Sequence, residues 1–222
     1  MFARLLALVC LSCFCTVLCR SELVRLPERK LVVFLSGDTP APTGSVSEMK
    51  LEVQSLLQQM GVAVEWRSSG DGLEVDGKLA VLELRGACQG ASKPGSQTVL
   101  TGESLASTAV SDDSILPFSW VNCDTLDRFL TPVLLGQTGD RREFLYGRAM
   151  GRLVAHELYH VLTNTPGHDG FGVAKPSFTT DDVLTEHFDF DQNTLSRFNS
   201  APPLVGWDPR LKQPVSAHAA FR

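Results

Sequence analysis

Residues 156–160 carry two histidines and one glutamate at a spacing that can bind and use a divalent metal ion. They read His-Glu-Leu-Tyr-His, which is a complete HExxH pattern. On a helix, His156 and His160 are one turn apart and point the same way, so both imidazoles can reach one zinc ion at about 2.0–2.1 Å. The carboxylate of Glu157 can then take a proton from a water molecule that the ion has acidified. The pattern predicts a zinc-dependent hydrolytic site with Glu157 as the general base.

Residues 140–163 are predicted to form the helix that carries this pattern. Asp140 and Glu143 have the types and spacing of an N-terminal capping box. At about 100° per residue, an apolar stripe runs along one side, and its two glycines make it flat enough to lie close to a sheet or a second helix. His156 and His160 fall on the opposite side of the helix. The stripe comprises Gly147, Gly151, Val154, Leu158 and Val161.

A tetrahedral zinc ion with two histidines and a water molecule needs one more protein ligand. His168 is the leading candidate. It lies eight residues after His160, beyond a Thr-Asn-Thr-Pro-Gly stretch that would end the helix and turn the chain back over the site. The alternative is Glu186, which a later helix could present to the ion.

The HELYH pattern on a long helix resembles the active-site helix of the zincin superfamily of metallopeptidases. The resemblance implies a domain with a mixed sheet, a helix that bears the metal ligands, and a cleft along the edge strand of the sheet. It also implies hydrolysis of peptide bonds. With His168 as third ligand, the site is similar to that of the metzincin branch, whose HExxHxxGxxH pattern supplies three histidines.

The chain departs from both zincin branches that supply a third ligand. The spacing to His168 is two residues longer than in metzincins, and Thr163 stands in place of their glycine. All four methionines precede the pattern, so the methionine of the metzincin Met-turn is absent. Glu186 resembles the glutamate ligand of gluzincins, but Phe190 replaces the aspartate of their ExxxD continuation.

The other elements predict an α+β domain in which a mixed sheet packs on helices. Residues 115–122 are expected to be the edge strand before the active-site helix, along which a peptide could add as an extra strand. A capping box at Ser45 and Glu48 is expected to begin the first helix and Gly61 to end it, and Pro132 is expected to stop the second. Strands are predicted at residues 30–35, 62–67, 79–85, 98–101 and 115–122, and helices at 45–60, 124–130 and 194–198.

The N-terminal residues have the layout of a secretory signal peptide. Arg4 precedes an uncharged apolar run that ends at residue 18 and is short for a membrane-spanning helix. We expect residues 1–19 to be a signal peptide, 20–200 a catalytic domain and 201–222 a Pro-rich tail. The protein is then exported, as a secreted, periplasmic or membrane-anchored protein. Retention of this segment as an anchor, or lipidation at Cys19, is the alternative.

Removal of the signal peptide leaves two of the six cysteines, Cys88 and Cys123. In an oxidising compartment they could form one disulfide, and two buried free thiols are the alternative. Neither lies in a CxxC pair, so the cysteines predict no redox motif and no cysteine-based zinc site.

The composition argues against nucleic acid as a partner. The formal net charge is -5 and no basic block is present, whereas nucleic-acid binding needs clustered lysines and arginines. We expect a peptide or protein substrate, and membrane contact only if the N-terminal segment is retained or lipidated. A secreted zinc-containing binding or structural protein without catalysis is the alternative function, against which an intact Glu157 argues.

Other polar residues near the pattern carry weaker expectations. Asp169 could orient a ligand histidine or be a solvated turn residue. Tyr159 is expected to point away from the metal and to pack in the core. The arginines on the first turns of the helix are expected to be solvated: Arg141, Arg142, Arg148 and Arg152.

Overall fold

The computed structural model describes residues 29–68, 70–72, 75–90 and 103–200. The expected signal peptide, the Pro-rich tail and the strand at residues 98–101 lie outside the described residues. No helix in these described ranges is long and apolar enough to cross a bilayer. The elements are β1 (Arg29–Gly37), α1 (Thr43–Gln59), β2 (Val62–Ser68), β3 (Lys78–Arg85), β4 (Ala106–Ser111), β5 (Ser114–Asn122), α2 (Cys123–Leu134), α3 (Gly139–Thr163), a short 3-10 helix (Gly172–Ala174), α4 (Thr180–Leu184) and α5 (Gln192–Ser200).

The strands form one mixed sheet in the order β2-β1-β3-β5-β4. β1 is parallel to both of its neighbours, β3 is parallel to β5, and β4 is antiparallel to β5. The expected α+β fold, with a mixed sheet and a long helix that carries the HExxH pattern, is confirmed. The expectation that residues 115–122 form the edge was wrong, because β5 lies between β3 and β4. Among the described residues, the edge strand on this side of the sheet is β4.

A tight hairpin turn at Asp112 and Asp113 joins β4 to β5. Both residues have positive φ angles, of 48° and 61°, as in the two-residue turns that match the twist of a hairpin. The ladder is irregular between Thr108 and Val110, where one residue of β4 stands opposite three of β5. Pro117 lies in this bulge, where its missing N–H costs no ladder hydrogen bond, so it does not interrupt β5.

Helices α1 and α3 lie side by side, in close contact at two glycines of α3. An added Cβ at Gly147 would lie 2.5 Å from the carbonyl oxygen of Ser45 and 2.7 Å from Cβ of Glu48. An added Cβ at Gly151 would lie 2.7 Å from Cβ of Glu52. The flat stripe predicted from the sequence therefore packs against a second helix, which is α1.

Helix α3 is buried on nearly all sides. Every residue from 149 to 162 is buried, so the side that carries the histidines is covered as well as the apolar stripe. On the histidine side, α3 is buried by the chain that follows the helix, including Thr165 and Val173. This arrangement places the HExxH pattern inside the domain, next to the sheet.

The two expected capping boxes are not formed. α1 begins at Thr43 and α3 at Gly139, and neither helix has a side-chain hydrogen bond at its N-cap. Ser45 lies inside α1 and is buried against α3, so tertiary packing has overridden the local capping signal. The expectation for the end of α1 is confirmed, because Gly61 has a left-handed φ of 67°.

Helix α2 continues through Pro132 to Leu134, beyond the end expected at residue 130. A proline this close to the end of a helix removes a single backbone hydrogen bond. Burial of Leu126, Leu130 and Leu134 in the core stabilises the longer helix.

Cys88 and Cys123 form a disulfide. It joins the loop after β3 to the first residue of α2. The two cysteines are 35 residues apart in sequence, and closing a loop of that size contributes roughly 3–4 kcal/mol by restricting the unfolded chain. Of the two alternatives left open by the sequence, the structure contains the disulfide.

Gly147→Ala is predicted to lower the free energy of unfolding by about 1–3 kcal/mol, because the new methyl group would overlap α1. In an open helix the same change would stabilise by about 0.5–1 kcal/mol. Gly139, the first residue of α3, has nothing within 4 Å of an added Cβ. Gly139→Ala is therefore the matched control. Chemical denaturation measures both variants, and equal stabilities would contradict the close approach of α1 and α3.

Candidate metal centre

Three imidazole rings converge at the C-terminal half of α3. The Nε2 atoms of His156 and His160 are 3.1 Å apart, and one ring nitrogen of His168 joins them in a group whose members all lie within 4.8 Å of one another. Ligand atoms about 2.0–2.1 Å from a tetrahedral ion are about 3.4 Å from each other. The group therefore has a spacing that could hold a metal ion. The structure brings together the three histidines that the sequence singled out.

Glu186 does not belong to this group. It lies in the segment after α4, where its side chain is exposed. The group of potential ligands found among the described residues consists of the three histidines. The geometry therefore favours His168 over Glu186 as the third ligand.

Backbone carbonyls orient both helical histidines. Nδ1 of His156 donates to the carbonyl oxygen of Val173 at 2.7 Å, and Nδ1 of His160 donates to that of Thr165 at 2.7 Å. Because a carbonyl oxygen can only accept, each Nδ1 carries the proton and each Nε2 keeps a lone pair for a metal. Both carbonyls belong to the chain that follows α3.

Asn164 turns the chain back over the end of α3. It is the C-cap of the helix and has left-handed angles of φ 49° and ψ 45°, which asparagine tolerates better than most residues. Its side-chain oxygen accepts a hydrogen bond from the backbone N–H of Ile115 at 3.2 Å. This bond ties the turn to β5. The predicted reversal after the helix is confirmed, and it places Thr165 and His168 beside His160.

Burial keeps the two helical imidazoles in the form that binds metals. It lowers the pKa of His156 to about 4, and it also lowers the pKa of His160. The nearby imidazole of His168 lowers both pKa values further. Metal binding requires neutral imidazole, so no proton needs to leave these two rings near neutral pH. His168 is exposed, which leaves the group open to solvent on one side.

Glu157 follows His156 in sequence and is buried, and its carboxylate is held by the edge strand. The hydroxyl of Thr108 on β4 donates to Oε2 of Glu157 at 2.6 Å. Burial raises the pKa of the Glu157 carboxyl to about 7, and the hydrogen bond from Thr108 opposes this shift. A carboxyl group with a pKa near neutrality can both take up and release a proton under physiological conditions. The sequence singled out Glu157 but contained no signal for Thr108, which lies 49 residues away.

Arg152, which was expected to be solvated, is buried instead. Its guanidinium forms an ion pair with Glu52 of α1 at 2.7 Å. It also donates to the carbonyl oxygens of Asp182 and Thr185 at 3.0 and 2.7 Å. Arg152 lies one turn before His156, so it connects α1, α3 and the end of α4 close to the metal group. Its partners are backbone carbonyls and a distant glutamate, which no local sequence pattern could indicate.

Asp169 and Tyr159 have structural roles. The carboxylate of Asp169 accepts hydrogen bonds from Thr194 and Arg197 of α5, and it therefore holds α5 rather than a histidine. The role of orienting the histidines is taken by carbonyls. Tyr159 is buried, as expected, with its ring 6.0 Å from that of Phe190.

The chain matches no protein-family model and no curated protein. Among solved structures it is similar to the crystal structure of an archaemetzincin from Methanopyrus kandleri, with 14% sequence identity and a TM-score of 0.49. The match covers 80% of this chain and 97% of that chain.

His168→Ala is predicted to weaken metal binding by at least about 100-fold, because loss of a mere orienting partner already costs about 10–100-fold. Glu186→Ala removes the exposed alternative ligand and serves as the matched control. It should leave metal affinity unchanged. Competition with a chromophoric chelator measures both affinities. Metal loss from Glu186→Ala together with full binding by His168→Ala would make Glu186 the third ligand.

Arg152→Met is predicted to lower the free energy of unfolding by about 3–5 kcal/mol, because it removes the partner of a partly buried carboxylate and of two carbonyls. Arg141 lies on the same helix and is exposed, so Arg141→Met is the control and should cost less than about 1 kcal/mol. Urea denaturation of both variants tests this. A similar small loss in the two would show that Arg152 does not anchor α4.

Proposed function

We propose that this protein is a zinc-dependent metallopeptidase. The observation that carries the proposal is the convergence of three histidine nitrogens, while Glu157, the residue after His156, is a buried carboxylate that is not part of the group. Three protein ligands with an open fourth position are typical of catalytic zinc, whereas structural zinc has four protein ligands. The group found in the described part of the chain has three members, one of them exposed. This favours catalysis over a purely structural zinc site.

The residues of the site have two roles: the histidines bind the ion, and Glu157 transfers a proton. His156, His160 and His168 would hold zinc through ring nitrogens. When bound there, zinc supplies a Lewis acid that acidifies a water molecule and polarises the carbonyl group of the scissile bond. Glu157 accepts a proton from the attacking water and then donates it to the leaving amine. Its burial favours this exchange, because the pKa of its carboxyl is raised to about 7.

The edge strand β4 would align the peptide substrate. One side of β4 has no neighbouring strand among the described residues, so its backbone groups can pair with an extended peptide. Thr108 of this strand contacts Glu157 directly. A peptide paired with β4 would therefore lie close to the proposed base. The substrate class is a peptide or protein, and no nucleic acid is expected.

Export of the protein is part of the same proposal. The Cys88–Cys123 disulfide supports it, because disulfides form and persist mainly in oxidising compartments. The signal-peptide layout of residues 1–19 supports it independently.

Glu157→Gln is predicted to keep zinc at the wild-type stoichiometry and to lose hydrolytic activity by at least about 100-fold, because an amide cannot accept the proton of water. Bound zinc is measured by inductively coupled plasma mass spectrometry. Hydrolysis is measured as the increase in fluorescence when peptides of a quenched fluorescent library are cleaved. Glu143→Gln on the first turn of the same helix is the control and should stay active. Full activity of Glu157→Gln would refute the assigned base. Lack of bound zinc in the wild type would refute the proposed function.

A further inference from the structure

Two hydroxyl groups connect the edge strand to the proposed general base. We propose that Thr108 and Ser119 form a relay of hydrogen bonds that positions the carboxylate of Glu157, with Thr108 as the positioning residue. This inference rests on the proposed function, because the position of Glu157 matters only if that residue moves a proton. Neither hydroxyl is part of the group of metal ligands.

The distances define a chain of three side chains. Oγ1 of Thr108 lies 2.6 Å from Oε2 of Glu157 and 2.9 Å from Oγ of Ser119. It also lies 3.2 Å from the backbone oxygen of Glu157.

The direction of the relay follows from the number of protons. The hydroxyl of Thr108 has one proton, and it donates this proton when Glu157 is ionised, because an ionised carboxylate can only accept. Thr108 therefore donates to Glu157, and its oxygen accepts the proton of Ser119. Ser119 in this way keeps the proton of Thr108 pointed at Glu157. The hydrogen bond from Thr108 occupies Oε2 of Glu157. The other carboxylate oxygen, Oε1, would then accept the proton of the attacking water.

The fold places the two hydroxyls side by side on adjacent strands, next to Glu157. Thr108 and Ser119 are direct partners in the antiparallel ladder, and they form the last regular pair before the bulge. Ser119 is 2% exposed, and the next residue on the same face of β5, Val121, is fully buried in the core. Burying hydroxyl groups in such surroundings costs free energy unless they find polar partners. Here the partner of Ser119 is the hydroxyl of Thr108, and the partner of Thr108 is Glu157.

The relay also links the base to the strand on which the substrate would lie. Thr108 is part of β4, so a peptide that pairs with β4 would be held by the same strand that holds Oε2 of Glu157. The distance between the scissile bond and the base is then set within one rigid unit. A side chain without a hydroxyl at position 108 would leave the carboxylate free to rotate away.

The test compares Thr108→Val, which keeps the shape and removes the hydroxyl, with Thr108→Ser, which keeps the hydroxyl. Thr108→Val should bind zinc fully, and its kcat should fall about 10-fold or more with KM changed by less than about 2-fold. Thr108→Ser should stay within about 3-fold of the wild-type kcat, and Ser119→Ala should fall between the two. Thr125→Val is the matched control and should leave kcat unchanged, because it also removes a threonine hydroxyl that donates to a glutamate, here Oε2 of Glu103 at 2.9 Å, but lies on α2, outside the edge strand and the metal group.

A second measurement does not depend on turnover. In the metal-free protein, Thr108→Val and Glu157→Met are combined in a double-mutant cycle of equilibrium unfolding. The hydrogen bond predicts a coupling of about tenfold or more in the folding equilibrium constant. Additive effects would overturn the relay even in a protein that has no measurable activity.

The outcomes separate this inference from the proposed function. A wild type that hydrolyses no peptide refutes the proposed function, while the double-mutant cycle still decides whether the relay exists. An active wild type with an equally active Thr108→Val variant overturns the inference alone. Loss of zinc from Thr108→Val, or an equal loss of kcat in Thr108→Ser, also overturns it, because Thr108 would then act on the fold or the ligands.

Discussion

The carbonyl oxygens of Val173 and Thr165 determine how the histidines of α3 face each other. Much of the surrounding structure serves to hold these two carbonyls in place. Each carbonyl accepts the Nδ1 proton of one imidazole and thereby fixes the plane and the tautomer of that ring. Loops are poor rigid supports, so the segments that supply these carbonyls must be anchored elsewhere. Asn164 anchors the segment that contains Thr165 to β5. Arg152 anchors the chain that follows Val173 to α1 and α3.

Burial acts on the acidic and basic groups of the site in opposite directions. It disfavours charge, so it lowers the pKa of the helical imidazoles and raises that of the neighbouring carboxyl group. The same desolvation thus yields metal-ready ligands and a carboxyl group able to exchange protons near neutrality. On the histidine side of α3 this burial comes from the chain that follows the helix, whose carbonyls of Thr165 and Val173 contact the rings.

The features that depend on local patterns could be predicted from the sequence, and those that depend on distant partners could not. Helix α3, its flat stripe and the chain reversal at Asn164 follow from periodicity and turn residues. The edge strand was missed because β4 reads Ala-Ser-Thr-Ala-Val-Ser, in which four of the six residues are alanine or serine, types that do not mark a strand. The positive φ angles at Asp112 and Asp113, which form its hairpin, become visible only in the structure. Arg152 was misjudged because its carbonyl partners lie 30 and 33 residues further along the chain.

The disulfide has a consequence for proteolytic nicking. The chain between Cys88 and Cys123 contains the whole hairpin of β4 and β5, and with it Thr108 and Ser119. A single cut anywhere between the two cysteines leaves both fragments covalently joined, so the part that carries the edge strand β4 stays attached to the part that carries α3. For a protein exported as proposed, the Cys88–Cys123 disulfide would keep the two fragments together after another protease has cut this segment.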